Sequence, residues 1–307
     1  MAHIPVLLNE VMEILKPQKG EFFIDGTFGA GGHSEKILEA IGETGKLLAI
    51  DWDPSTGSGQ APSAERRAKE KPAFAKAMAG KGNNFMFRNV NYADTKNILQ
   101  EEGLPKADGL LLDLGFSSDQ LEDSGKGFSF KKDEPLVMSY GESGLTAYEV
   151  INTYSEEKLL EIIKELGEER FPGRIARVIV ENRQKEPIKT SLQLARIIRS
   201  ALPRNYEKGR IDPATRTFQA LRIYVNGELE NIKKILGDLE SIVKSGGRVA
   251  VISFHSLEDR IVKNVFRDLK KLGKAELLNK KIISASRDEI LSNPRSRSAK
   301  LRGIKII

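Results

Sequence analysis

Cysteine is absent from the 307 residues, which removes disulfides, thiolate metal sites and thiol nucleophiles together. Histidine is scarce, and His3, His33 and His255 are too far apart in the chain to suggest a histidine-based metal site. No apolar run reaches about 18 residues, and no basic stretch followed by an apolar one opens the chain. A membrane span and a secretory leader are therefore not expected. The same features fit a reducing compartment, so the expected location is cytoplasmic.

Hydrophobic residues make up 39% of the chain, enough to build the core of an α/β domain with a smaller second unit. The net charge of +6 suits a polyanionic partner, because Lys and Arg neutralise phosphates and release counterions. A solvated basic surface would give the same excess.

The first half alternates strand and helix signals. Strands are expected at Glu21–Asp25, Lys46–Asp51, Asn84–Arg88 and Gly109–Leu114, with a helix at Ser34–Ala40. The last strand is apolar throughout, as strands covered on both faces are. This pattern predicts a parallel sheet flanked by helices. Between Pro54 and Asn83 the signal weakens to a loop and an Ala/Lys-rich helix at Ala64–Met78. From Gly125 to Ala220 strand signals vanish. Helices are expected there at Ser155–Gly167, Arg174–Gln184 and Thr190–Leu202, the last opened by a capping box of Thr190 and Gln193. The alternation then resumes with a helix at Thr217–Val243, a strand at Gly247–Phe254 and a helix at Ser256–Leu272. Arg287–Arg302 reads as a basic, mobile tail, and Gly303–Ile307 as an added edge strand. The expected division is a core over 1–124 and 217–307, interrupted by a helical substrate-recognition domain over 125–216.

The segment Asp25-Gly26-Thr27-Phe28-Gly29-Ala30-Gly31-Gly32-His33-Ser34 joins the first strand to the first helix of this pattern. A Walker loop needs Gly-Lys-Ser/Thr, which is missing. A dinucleotide fingerprint needs a third glycine where Ser34 stands. Asp-x-Thr-x-Gly-x-Gly instead resembles the first motif of class I methyltransferases, whose loop holds the amino-acid end of S-adenosylmethionine. Asp51, twenty residues beyond Gly31, ends the second strand, where a carboxylate can accept from two ribose hydroxyls. A tight turn with an exposed acid would show the same letters.

The fourth strand runs into Asp113-Leu114-Gly115-Phe116-Ser117-Ser118. Ligands of open α/β sheets sit beyond the carboxyl ends of strands, so Asp113 is expected beside the reacting groups. The acid and the aromatic here resemble the Asp/Asn/Ser-Pro-Pro-aromatic motif of amino-group methyltransferases, with Leu-Gly in place of the prolines. An exocyclic ring amine of the kind such enzymes methylate is a poor nucleophile, because its lone pair is delocalised into the ring. An acceptor bonded to its N–H helps to free that pair. Asp113 and the Ser117 or Ser118 hydroxyl are candidates, although the serines equally suit a turn. His255 follows a strand and is a candidate proton acceptor or a helix cap. Arg216, Arg222, Arg260, Arg295 and Arg297 are candidate phosphate contacts or ordinary surface charge.

Eight segments together resemble one family: His3–Leu8, Asp25–Ser34, Asp113–Ser118 with Gln120-Leu121, Gly127–Phe130, Gly167–Arg170, Ala214–Arg222, Ser253–Arg260 and Asn293–Ser298. This is the RsmH (MraW) family of bacterial 16S rRNA cytosine-N4 methyltransferases, and the likeness spans nearly the whole chain. The resemblance implies a class I, Rossmann-like α/β fold with an inserted helical domain. It also implies S-adenosylmethionine as methyl donor, and transfer to the N4 amine of a decoding-region cytidine of 16S rRNA in the small ribosomal subunit. Carried over residue by residue, it places the donor at Gly31, Gly32, His33, Asp51, Tyr92, Asp113 and Gln120, with Asp113, Ser117 and His255 as the catalytic candidates. No metal and no membrane partner are implied. The oligomeric state stays open, a homodimer being one option.

Some segments depart from the family pattern. Pro135-Leu136-Val137-Met138-Ser139-Tyr140 lacks the family's acid and arginine, and Arg170-Phe171-Pro172-Gly173-Arg174 is expected to weaken a helix start. Two rival functions follow: a non-catalytic RNA-binding or assembly protein on this fold, or an NAD-dependent oxidoreductase.

Overall fold

The computed structural model describes residues 4–52, 84–115, 125–141, 144–206 and 211–307. Helix α1 (Leu8–Leu15) is followed by β1 (Phe22–Asp25), α2 (Gly32–Ile41), β2 (Lys46–Ile50) and β3 (Phe85–Arg88). A 3-10 turn at Tyr92–Asp94 leads into α3 (Thr95–Glu101) and β4 (Ala107–Asp113). Five helices come next: α4 (Ala147–Thr153), α5 (Glu156–Gly167), α6 (Pro172–Arg183), α7 (Ser191–Ala201) and α8 (Thr215–Asn226). The chain continues with α9 (Glu228–Gly237), α10 (Leu239–Ile242), β5 (Val243–Ser253), α11 (Ser256–Lys271), β6 (Ala275–Leu277), α12 (Arg287–Ser292) and β7 (Lys300–Ile306).

These elements form two compact units, one of Met1–Gly115 with Leu229–Ile307 and one of Phe116–Glu228. The first carries a seven-stranded sheet in the order β3-β2-β1-β4-β5-β7-β6. Strands β1 to β5 run parallel, and β7 is antiparallel to β5 and β6. Period-2 alternation divides the apolar residues between two faces. Ile24, Leu48, Leu110, Leu112, Val249 and Val251 pack on one side, and Phe23, Leu47, Leu111, Ala250 and Ile252 on the other. Strand order reverses beside β1, which opens the crevice for a ligand at the carboxyl ends of β1 and β4. This is the class I α/β architecture expected from the sequence.

The second unit is helical. Its core joins Phe128, Leu136 and Met138 to the apolar faces of α4 through α8, including Ile151, Ile163, Ile179, Leu194 and Phe218.

Several expectations need correction. The helix expected over Thr217–Val243 is three helices, broken at Gly227 and Asp238, and α8 belongs to the second unit because Phe218, Ala220 and Leu221 are buried in that core. The helical unit therefore ends after residue 216, at Glu228. Pro172 does not weaken α6. It occupies the first helical turn, where its missing N–H is not needed and its fixed φ suits the helix. At α7 the Thr190 hydroxyl accepts from the Gln193 N–H as expected, but the Gln193 side chain accepts from Lys189 N–H rather than closing a box on Thr190. The Arg287–Arg302 segment is ordered as α12, a 3-10 turn at Pro294–Ser298 and the start of β7, with Asn293 and Ser296 buried. The last strand lies between β5 and β6 rather than at an edge. The loop and helix expected within Pro54–Asn83 lie outside the described residues.

Candidate functional site

The turn from β1 to α2 is held by one buried carboxylate. Asp25 is 1% exposed; its Oδ1 accepts from Thr27 N–H at 3.0 Å and its Oδ2 from the Ser34 hydroxyl at 2.6 Å. Burial pushes Asp25 above the ordinary carboxylate range, and the Ser34 hydrogen bond partly opposes that. The Thr27 hydroxyl oxygen in turn accepts from Asp113 N–H at 2.6 Å, which ties the turn to the end of β4. Gly26 N–H donates to the Leu111 carbonyl and Phe28 N–H to that of Ile50, so the turn is stitched to both neighbouring strands.

Gly31 precedes helix α2 as its N-cap, its φ of 82° suits a residue without Cβ, and no side chain caps the helix among the described residues. Gly32 must also be glycine, because a Cβ there would lie 2.3 Å from Pro5 Cγ. Among the described residues the first backbone donors of α2 thus have no side-chain acceptor, at an end that favours negative charge.

His33, 7% exposed, stands in the first turn of α2. Its Nε2 lies 3.0 Å from the Val6 carbonyl and its Nδ1 3.7 Å from Asp113 Oδ2. A carbonyl can only accept, so Nε2 carries the hydrogen. Burial lowers the affinity of the ring for a second proton, with Asp25, the Val6 carbonyl and Glu289 opposing. The neutral ring therefore presents Nδ1 as an acceptor beside a carboxylate. Two converging acceptors suit a ligand ammonium and repel a phosphate. The uncapped start of the same helix suits a ligand carboxylate. The pair fits the zwitterionic end of an amino acid, which is the test that S-adenosylmethionine has to pass at this turn.

The other sequence-selected positions fall around it. Asp51, 8% exposed, directly follows β2, and its N–H donates to the Arg88 carbonyl. Tyr92 opens the 3-10 turn after β3, and a Cβ on Gly26 would lie 3.3 Å from Tyr92 Cβ, so Tyr92 and the glycine turn are neighbours. Ser117 and Gln120, with Phe116 and Ser118, lie outside the described residues. His255 stands at the start of α11, where its Nε2 is 3.0 Å from Glu258 Oε1. Glu258 Oε2 accepts from the N–H groups of Phe254 and His255 at 2.7 and 3.2 Å, an arrangement of the helix-capping kind.

Within the helical unit, Arg222 makes a two-pronged pair with Glu228, and Arg216 donates to the Glu168 carbonyl. The divergent Val137–Tyr140 stretch is built into that unit. Met138 is buried, the Tyr140 hydroxyl donates to Glu228 Oε1 at 2.8 Å, and the Tyr140 ring stacks on Phe128 with centroids 5.5 Å apart. Arg295 is half-buried and Arg297 exposed in the ordered C-terminal segment.

Sequence reasoning missed Val6 and Glu289. Nothing in their local pattern marks a contact to residues so distant in the chain. Among the described residues no helix is long and apolar enough to cross a membrane.

Comparison with known proteins gives a consistent outcome. The profile of the MraW methylase family matches residues 1–307. "Ribosomal RNA small subunit methyltransferase H" of Syntrophotalea carbinolica is 45% identical over 320 aligned positions, covering 99% of this chain and 97% of that protein. The protein of the same name from Syntrophus aciditrophicus is 43% identical, covering 98% and 96%. That from Ehrlichia chaffeensis is also 43% identical, covering 98% and 99%.

Proposed function

The chain belongs to the MraW methylase family, and from that premise we infer that it is an S-adenosylmethionine-dependent methyltransferase of small-subunit ribosomal RNA. The target we propose is the N4 amine of a decoding-region cytidine in 16S rRNA. The observation that carries the reading is the β1–α2 turn, where the Asp25–Thr27–Asp113 chain and the His33 ring set two acceptors beside an uncapped helix start.

When bound, S-adenosylmethionine supplies a sulfonium methyl group open to in-line attack. We assign its carboxylate to the Gly32 and His33 N–H groups, Gly31 N–H being bonded to the Phe28 carbonyl, its ammonium to His33 Nδ1 with Asp113, its ribose hydroxyls to Asp51 and its adenine to the Tyr92 ring, with Gln120 as a further contact. Asp113 also serves the substrate. Its carboxylate is fixed by the Thr27 contact to its N–H and by Gly115 N–H, which donates to Oδ1 at 3.1 Å. A fixed acceptor of this kind holds an amine N–H, localises the nitrogen lone pair and aims it, so that positioning supplies much of the rate. Ser117 is the second candidate for that task. His255 is the third candidate, its Nε2 facing the Glu258 carboxylate, a partner of the kind that orients an imidazole for proton transfer. The helical unit Phe116–Glu228 is assigned to substrate RNA handling. The target base leaves its stack to reach the acceptors, because base edges in helical RNA are poorly accessible.

Calorimetry with S-adenosylhomocysteine and with NAD tests the donor, and binding of the first alone is expected. Mass spectrometry of small-subunit rRNA from cells lacking the protein tests the target; N4-methylcytidine that persists would refute it.

A further inference from the structure

We propose that Glu289 and Asn293, more than 250 residues beyond the glycine turn in sequence, are positioning residues for the methyl-donor site. They hold the N-terminal segment Ile4–Leu7 against the start of α2, and that segment sets the state of the His33 ring. The inference rests on the donor-site reading above and adds two residues to it.

Each link is a contact in the structure. Glu289 Oε1 accepts from Leu7 N–H at 2.8 Å, and Asn293 Nδ2 donates to the Ile4 carbonyl at 3.0 Å. Between those two anchors lie Pro5, which packs on Gly32, and Val6, whose carbonyl takes the His33 Nε2 hydrogen. The anchors are themselves fixed. Ser286 caps α12 by accepting from Glu289 N–H at 3.1 Å, and Asn293 N–H closes back on the Glu289 carbonyl at 2.6 Å. The Asn293 carbonyl also accepts from the buried Ser296 hydroxyl.

Leu7 shows that the segment is held rather than relaxed. Its φ of 54° is left-handed, a conformation that a leucine adopts only when its surroundings impose it. Glu289 grips the N–H of that residue. Release of the grip lets the backbone leave the left-handed region, and the adjacent Val6 carbonyl moves with it. The His33 ring then loses the partner that keeps its hydrogen on Nε2. With the hydrogen on Nδ1 the ring becomes a donor toward Asp113, and an acceptor for the ligand's ammonium disappears. The same pair of residues gives the ordered C-terminal segment a role at the donor site.

The test uses the full-length protein with 15N-labelled histidine, which gives three ring systems (His3, His33 and His255). Nitrogen shifts report the His33 tautomer, assigned with a His33→Gln control. Calorimetry reports affinity for S-adenosylhomocysteine, and circular dichroism reports folding. The wild type is expected to show the Nε2–H form. Glu289→Ala is expected to mix the two tautomers and weaken S-adenosylhomocysteine about tenfold, as small displacements of positioned groups do. Glu289→Gln keeps an acceptor for Leu7 N–H and should restore both readouts. A folded Glu289→Ala protein with the wild-type tautomer and affinity overturns the proposal. Should Glu289→Ala fail to fold, Asn293→Ala decides on the same readouts. Absence of binding by the wild type would sink the donor reading instead, while the tautomer signal would still judge the positioning claim.

Discussion

Two strand-to-helix turns at the carboxyl edge of the same sheet use a buried acid in opposite ways. After β5, the acid is Glu258, 2% exposed and inside α11, and it folds back to accept from Phe254 and His255 N–H. That helix start is satisfied by the protein itself. After β1, the acid is Asp25, which precedes the turn and belongs to the strand. It takes the Thr27 N–H and the Ser34 hydroxyl and fixes the shape of the turn, while α2 begins at a glycine that offers no side chain. The position of the acid relative to the turn decides the outcome. An acid inside the helix closes it, and an acid before the turn holds it open for a ligand.

The sharpest way to break this comparison is to remove each acid in turn. Asp25→Ala strands the Thr27 N–H and the Ser34 hydroxyl in the interior, so unfolding in urea should show a loss of about 3 kcal/mol. The same change removes the acceptor that orients Thr27, whose hydroxyl reaches Asp113 N–H, and S-adenosylhomocysteine affinity should fall about 100-fold by calorimetry. Gly32→Ala comes next. Its Cβ would meet Pro5 Cγ at 2.3 Å, and the displaced segment should cost about 2 kcal/mol with roughly tenfold weaker binding. Glu258→Ala should cost about 1 kcal/mol, the usual effect of a lost cap, and leave S-adenosylhomocysteine affinity within about twofold. If Glu258→Ala weakened the ligand as much as Asp25→Ala, the division between a closed and an open helix start would be wrong.

The same contrast explains what could be read from the sequence and what could not. The β1, β2 and β4 strands were legible because each is a short apolar run ended by an acid or a glycine turn, and burial on both faces leaves little else that such runs can do. The Asp25–Ser34 turn was legible because glycine spacing is itself a backbone constraint. Edge strand β6 was not, since three residues with one partner strand carry no period. Helix α1 was missed as well: eight residues between prolines barely complete two turns of a pattern. The C-terminal segment was misread as mobile because its basic letters dominate its composition. Its order comes from Asn293 and Ser296, small polar residues whose buried partners are visible only in three dimensions. The Val6–His33 and Leu7–Glu289 bonds belong to that class too.

The smallest expected effect is a pH dependence seated in the open turn. Burial lowers the proton affinity of the folded His33 ring, whereas in the unfolded chain the ring titrates near its free value of about 6.5. A depressed folded value means that the unfolded state takes up the proton first as pH falls. The contribution of His33 to stability is therefore complete above about pH 6.5 and is lost as pH drops through the folded value. Asp25 works the other way. Its raised folded value favours the neutral acid, so its contribution is present in acid and is lost as pH rises through that value. The two slopes oppose each other in the wild type, and a single unfolding curve would hide both. Urea unfolding followed from about pH 7 down to about pH 4, close to the free Asp value, should show stability falling more steeply with acid in Asp25→Asn than in the wild type. It should fall less steeply in His33→Gln. S-adenosylhomocysteine affinity should also drop with acid in the wild type, because a proton on Nδ1 turns the ligand's acceptor into a competing donor. Slopes that do not change in either variant would mean that neither group is held in the state its burial dictates, and the open turn would then lack the acceptor pair on which its ligand depends.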